Sequence, residues 1–516
     1  MVWRHLMPTD GRSMNIEEKK IILQEIKQIS GKDGDSSYGI AEYEDDRLED
    51  FLMLDEYTRL QEPRKFLILG GRGSGKTRLF RTFNLPEGLR ELFQRDDLSG
   101  LNATNATVVK GYERREDRFP TETVLEKYAS DKEALAYWNG SLLFQLFDAL
   151  RQELFEDKLL QPIFKKITGN EDLRQFMDNR NLKSLSSWIP YIQNNPEIWS
   201  GLLDQLNAYL LEVDRWIFVT YDDLDRLTSS YEDLFPFIRT LLSFWALRDL
   251  RWERIRCKIF LRNDLYAPVS RNFMDASKLS VNTIRLEWNP LSLYRLFVKR
   301  LANAGNSEAL AYLRQIQGLV SDNKVSSLGF IPTKERSLIE QFVIQLIGKY
   351  MGNSPKRGLS YQWMPNHLQD ANGALAPRAF IKCFSTAAVG MLNDERALAS
   401  LEEDRLILPT MIQNALVSVS EDRVIELSEE YPWLETLKPM LQGMTMLVDQ
   451  RTFLNAIDMT RWTDKKTLPS QTEIGLFDVL KKLGIIYLAS DGRVNVPEIY
   501  LHGFGMKRRG GLRRKV

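Results

Sequence analysis

The chain has 516 residues, too many for a single core, and length alone suggests about 2–4 domains. Lysine plus arginine total 70 and aspartate plus glutamate total 70, so the formal net charge is zero. With 43% hydrophobic and 10% aromatic residues, that balance excludes a globally basic nucleic-acid coat and an acidic disordered chain.

No apolar run reaches the roughly 18 residues that a membrane span needs. The opening MVWRHLMPTDGRSM carries no apolar signal core, so no secretory signal is expected. Cys257 and Cys383 are the only two cysteines, which rules out a disulfide framework. His5, His367 and His502 are too few and too scattered for a zinc site. A cytoplasmic location follows by elimination.

Residues 14–30 have helical spacing, and Met14 is a candidate start that would make 1–13 an extension. GKDGDSSYG reads as a loop, and residues 40–60 as a second helix ending at Glu62-Pro63, which gives an N-terminal helical segment over 1–60. Residues 65–69 form a short apolar run, expected to be a buried strand, and a helix follows from Arg78. A further strand is expected at 106–110, and a helical insertion over about 112–210. Strands are expected at 216–221, 255–261 and 281–286, with a helix at 231–249. This alternation predicts a parallel α/β sheet covered on both faces, within a core spanning 61–289. Residues 290–440 read as helix nearly throughout. From 441 to 516 the pattern changes to helices near 450–458 and 471–483, strands at 485–488 and 493–496 around Ser490-Asp-Gly492, and a basic tail. Two helices and a hairpin predict a winged-helix-like module. Trp138, Trp188, Trp199, Trp245, Trp288 and Trp363 are expected in the core. Both cysteines lack a nearby histidine that would make them nucleophiles.

Gly70, Gly71, Arg72, Gly73, Ser74, Gly75, Lys76 and Thr77 match G-x-x-x-x-G-K-[ST] at every fixed position. Glycines let backbone N–H groups converge on phosphate oxygens where side chains would block the approach. The helix that follows points its positive end at the same anion. Lys76 can reach the β- and γ-phosphates, and Thr77 can offer its hydroxyl to Mg²⁺. The cofactors expected are therefore ATP and Mg²⁺.

Hydrolysis needs a carboxylate at the end of a neighbouring strand. Residues 216–221 run directly into Asp222-Asp223-Leu-Asp225-Arg226. Asp222 is the candidate metal residue alongside Thr77, and Asp223 the candidate for orienting the attacking water. Adjacent acids repel, and a divalent cation would relieve that repulsion. Arg262 and Asn263, ending the strand at 255–261, are candidate sensors of the γ-phosphate, with Asp264 beside them. Arg378, opening a helix after Ala376-Pro377, is a candidate second sensor.

GGRGSGKT with DDLDR after an apolar strand resembles the KAP and STAND branches of the P-loop NTPases, relatives of the AAA+ class. FLRND is similar to their sensor-1 strand, and Leu375-Ala-Pro-Arg378 to the start of their helical-lid sensor. The resemblance implies an α/β P-loop NTPase core with a parallel sheet and a helical lid, here over 290–440, to which this sequence adds the large helical insertion and the C-terminal winged-helix-like module. It also implies a nucleotide-driven switch that acts as a homo-oligomer or on a partner protein, as in bacterial anti-phage defence. Lys76 and Thr77 would then take the phosphate and Mg²⁺ roles, Asp222 the metal role and Asp223 the water-activating role. Two features depart from the pattern. Asp223 stands where most AAA+ members have glutamate, and the stretch from Thr77 to Asp222 is longer than a minimal core.

The zero net charge conceals an uneven distribution. Residues 391–440 hold 11 acidic and 4 basic side chains, whereas 441–516 hold 13 basic and 7 acidic. The tail alone carries Lys507, Arg508, Arg509, Arg513, Arg514 and Lys515. A rival expectation follows: a DNA-associated ATPase contacting phosphates through 441–516. Lys481 and Lys482 on the expected recognition helix share it with Glu473 and Asp478, a weak set for reading bases. A third expectation is a nucleotide-binding scaffold with negligible hydrolysis. Arg226, Arg248 and Arg254 are candidates for an arginine finger.

Overall fold

A computed structural model describes residues 14–30, 47–94, 100–169, 171, 174, 182–271, 276–462 and 468–508. The expected start extension, the GKDGDSSYG loop and the tail arginines Arg509, Arg513 and Arg514 with Lys515 lie outside the described residues. Contacts group the chain into two units, 53–286 and 1–52 together with 287–516.

The first helix, α1 (Ile16–Gln28), starts from a capping box in which Asn15 accepts from the Glu18 N–H and the Glu18 side chain accepts from the Asn15 N–H. Its stripe of Lys19, Ile22, Leu23 and Ile26 is buried. The expected helix at 40–60 is not what forms in its described part. Two 3₁₀ segments, Leu48–Asp50 and Asp55–Gln61, flank an extended stretch. Phe51 and Tyr57 bond carbonyls three residues back, and neither segment has a side-chain cap.

The unit spanning 53–286 is built on a five-stranded sheet of order β2-β3-β4-β1-β5, with every neighbouring pair parallel. Its strands are β1 (Leu67–Gly70), β2 (Ala106–Tyr112), β3 (Trp216–Tyr221), β4 (Ile255–Arg262) and β5 (Thr283–Leu286). Strands β1, β3 and β4 are buried along their whole length, as a sheet covered on both faces requires. That is why they read in sequence as continuous apolar runs. β4 is the exception: IRCKIFLR carries Arg256 and Lys258 into the interior. Lys258 Nζ donates to Glu62 O at 2.9 Å and Lys65 O at 2.7 Å, fastening the chain that enters β1. Burial pushes its pKa down to about 7.

Helix α2 (Lys76–Asn84) follows β1 through the glycine loop. Helices fill most of the chain between β2 and β3, the longest being α3 (Asp131–Ala149). Residues 136–147 of α3 are all buried, so its apolar character is not confined to one stripe. It packs on α4 (Tyr231–Arg248), where Trp138 Nε1 donates to Phe237 O at 2.9 Å. Trp138 meets Tyr221, at the end of β3, edge to face with centroids 5.6 Å apart. Trp138, Trp188, Trp199 and Trp245 are buried, whereas Trp288 and Trp363 are only partly so. Cys257 and Cys383 are buried free thiols. After β4 comes α5 (Asn263–Arg271).

The other unit is mainly helical. Its centre is α6 (Pro377–Leu392) against α7 (Pro409–Glu430), and α1 packs on α6. Two-residue strands β6 (Thr445–Met446) and β9 (Lys507–Arg508) pair in parallel. Between them lie α8 (Gln450–Ala456), α9 (Glu473–Lys482), the antiparallel hairpin of β7 (Tyr487–Leu488) and β8 (Val494–Asn495), and α10 (Glu498–Leu501). Phe453 and Phe477 join α8 to α9 edge to face, with centroids 5.8 Å apart. The two helices and hairpin are present as the sequence predicts; the β6–β9 pair was not legible in it. The module is fastened to the helices before it: α10 packs on α7, and the Gly503 N–H donates to Ser420 Oγ at 2.9 Å. Among the described residues, no helix is long and apolar enough to cross a membrane.

Candidate nucleotide site

Parallel strands put all their carboxyl ends on one edge of the sheet. Gly70, Tyr112, Tyr221 and Arg262 end β1, β2, β3 and β4 there. β4 lies between β1 and β3, so the segments after β1 and β3 can converge above its end.

Between β1 and α2 the backbone turns as only glycine does easily: Gly73 has φ of 73° and Gly75, the helix N-cap, φ of 93°. A Cβ on Gly70 would lie 2.3 Å from Ser74 Oγ, so the loop closes on itself at that point. Lys76 Nζ donates to Gly70 O at 3.2 Å and Gly71 O at 2.9 Å, which keeps the ammonium against the loop. Burial pushes its pKa down to about 8, opposed by the negative charge of Asp222.

Asp222 continues β3. Its N–H donates to Tyr112 O at 3.2 Å, its carboxylate is hydrogen-bonded to the Thr77 side chain, and only 3% of its surface is exposed. Its Oδ2 atom is buried and accepts no hydrogen bond. Burial, and then the neighbouring charge of Asp223, drive its pKa well above the ordinary carboxylate value. Asp223 adopts a left-handed conformation, φ 54° and ψ 26°, which ends the strand direction and turns the chain.

Asp225, three residues on from Asp222, is held by an arginine from the next strand. Its Oδ2 accepts from Arg262 Nη1 at 3.0 Å. Arg262 also donates through Nε and Nη2 to Asp264 Oδ1 and Oδ2, at 3.0 and 2.6 Å, a bidentate pair. Arg262 is 8% exposed, and its charge acts on Lys76 along with those of Asp225 and Asp264. Asn263 is the first residue of α5. The sequence reading did not pair Asp225 and Asp264 with Arg262; the signal was the last acid of DDLDR and of FLRND.

Arg378 lies in the other unit, at the start of α6. It donates to Glu426 Oε1 on α7 at 3.3 Å. Of the candidate fingers, Arg254 stands at the amino edge of the sheet, over the Trp216 ring at 4.4 Å and paired with Asp214 at 3.1 Å. Arg248 lies over the Phe244 ring at 3.8 Å. Arg226, directly after Asp225, is exposed.

The chemistry of the donor set suits a hydrated Mg²⁺ carried by a nucleotide. One hydroxyl and one buried carboxylate with an unpartnered oxygen meet beside the loop, a small oxygen set that suits a cation mostly held by phosphates and water, while the Lys76 ammonium complements the phosphates. Among the described residues, no cluster of three or more histidine, cysteine or acidic side chains is arranged to hold a metal by itself.

No family model and no curated protein sequence matches the chain. Among solved structures, Cdc6p from Pyrobaculum aerophilum overlays with a TM-score of 0.27 at 12% identity, covering 89% of this chain and 97% of that one. The Aeropyrum pernix ORC2 protein, in ADPNP–ADP complexes, gives a TM-score of 0.35 at 13% identity, with 90% of each chain covered. Overlays at these values carry no assignment, and the reading of the site rests on its own geometry.

Proposed function

We propose that the protein is an ATP-binding and ATP-hydrolysing P-loop switch. The observation that carries this reading is the meeting of Lys76, Thr77 and Asp222: residues from two separated segments, hydrogen-bonded or electrostatically coupled beside a glycine loop that opens a helix. Loop N–H groups and the α2 N-terminus would bind the phosphates, with Lys76 supplying the positive charge. Thr77 and Asp222 would hold Mg²⁺, which supplies charge neutralisation to the phosphates. Asp223, next to Asp222 at the carboxyl edge, would orient the attacking water. Arg262 would read the γ-phosphate together with Asn263.

On the KAP/STAND resemblance, the cycle drives a cytoplasmic signalling or anti-phage defence switch that works as a homo-oligomer or on a partner protein. Single-turnover hydrolysis separates this from a scaffold. The wild type releases phosphate in the presence of Mg²⁺, and Asp223→Asn slows that step by about 10²-fold while ATP binding persists. Equal phosphate release by both proteins would remove Asp223 from the mechanism. Complete absence of release by the wild type would leave the scaffold reading.

The C-terminal module favours a second reading, a DNA-associated ATPase. It pairs two helices with a hairpin and exposes Lys482 and Lys507. Against this, α9 also exposes Asp478 and Ile474, and its last turn is engaged by Asn372, whose Nδ2 donates to Lys482 O at 3.1 Å. DNA-stimulated turnover that fades steeply with salt would support this second reading.

A further inference from the structure

Arg262, a buried cation at the carboxyl edge, is gripped by two carboxylates from different segments. Asp264, two residues on, takes Nε and Nη2 as a fork, which fixes the plane of the guanidinium. Asp225, 37 residues earlier in the chain, takes Nη1 and so ties the turn after Asp222-Asp223 to the end of β4. Two negative charges on one positive charge leave the triad with a net negative charge. They also hold the long side chain in one rotamer, which an arginine on a strand end would otherwise lose to its own flexibility.

We propose that Asp225 and Asp264 are positioning residues that aim Arg262 at the γ-phosphate, so that this triad, not Arg262 alone, tells ATP from ADP. The inference rests on the ATP reading of the Lys76–Thr77–Asp222 site and specifies how that site senses its nucleotide. Asp264 sets the orientation of the guanidinium. Asp225 couples that orientation to the segment that carries Asp222 and Asp223. Loss of either carboxylate leaves Arg262 charged but wrongly placed, and a displacement of about 1 Å is enough to cost up to about 10²-fold in rate.

The test uses the full chain with MgATP and MgADP. Binding of both nucleotides and the kcat–KM pair are measured for wild type, Asp264→Asn, Asp264→Glu and Asp225→Asn. Asp264→Asn is expected to lower kcat by about 10- to 100-fold and to weaken ATP binding selectively, leaving ADP binding as in the wild type. Asp225→Asn does the same to a smaller degree. Asp264→Glu, which keeps the charge and the fork, recovers a substantial part of kcat. Unchanged ADP binding doubles as the check that each variant is folded. If ATP and ADP binding weaken together, the carboxylates are merely structural and the proposal is overturned. It is equally overturned if turnover is unchanged in both Asn variants. If the wild type binds neither nucleotide, it is the ATP reading itself that fails.

Discussion

Buried charge is handled in opposite ways around Arg378 and at the carboxyl edge of the sheet. Around Arg378 the charges complete one another. Arg378 and Arg423 both donate to Glu426, at 3.3 and 3.1 Å, and Arg423 is hydrogen-bonded to Tyr500 of α10. Against the cost of burial, Tyr500 and Glu426 hold the Arg423 guanidinium above its ordinary pKa. At the carboxyl edge of the sheet, burial wins instead. Lys76 is depressed, Asp222 is raised, and Asp222 Oδ2 has no partner. A satisfied network holds an architecture together, as this one joins α6, α7 and α10. Charges left at a cost point to an outside partner that would complete them, here an anion with its cation.

That contrast can be broken most severely at Asp222. Asp222→Asn keeps the shape but removes the charge; multiple-turnover phosphate release should fall by about 10²- to 10³-fold, and raising Mg²⁺ should not restore it. Full recovery at high Mg²⁺ would mean that the carboxylate is not essential to holding the metal.

The next effect is on pH. Phosphate binding needs protonated Lys76, whose pKa lies near 8, below the ordinary 10.5. ATP affinity should be flat below pH 8 and then fall by up to about tenfold per pH unit, as read by titration across pH 7 to 10. The sign for stability is opposite. Between pH 8 and 10.5 the unfolded chain holds a proton that the folded one has released, so the nucleotide-free protein gains stability from this group as pH rises through that window.

The smallest effect is expected in the completed network. Tyr500→Phe removes one partner of the partly buried Arg423, and chemical denaturation should show a loss of about 1–2 kcal/mol. Basal ATP turnover should not change. A turnover defect without a stability loss would erase the distinction between the two regions.

Local chemistry was legible in the sequence, and long-range partnership was not. The glycine loop could be read because its glycines, Lys76 and Thr77 follow one another within eight residues, and the loop geometry depends on that spacing. The strands β1 and β3 could be read because burial on both faces writes apolar runs. Strand order could not, since parallel pairing is decided by packing between distant segments. For the same reason Asp225 read as one more repelling acid until the structure paired it with Arg262, and Arg378 read as a lone helix-opening arginine until Glu426, 48 residues on, came beside it. The stretch at 47–61 shows the remaining difficulty: its apolar residues suit a helix, but without a cap or four-residue bonds it settles as 3₁₀ turns.

The most direct test is calorimetric titration of MgATP into the wild type and into Lys76→Ala. The account predicts saturable one-site binding to the wild type and at least about 10²-fold weaker binding to the variant, with both proteins melting as folded chains. Equal MgATP affinity in the two proteins would contradict the assignment of the Lys76–Thr77–Asp222 edge as the nucleotide site.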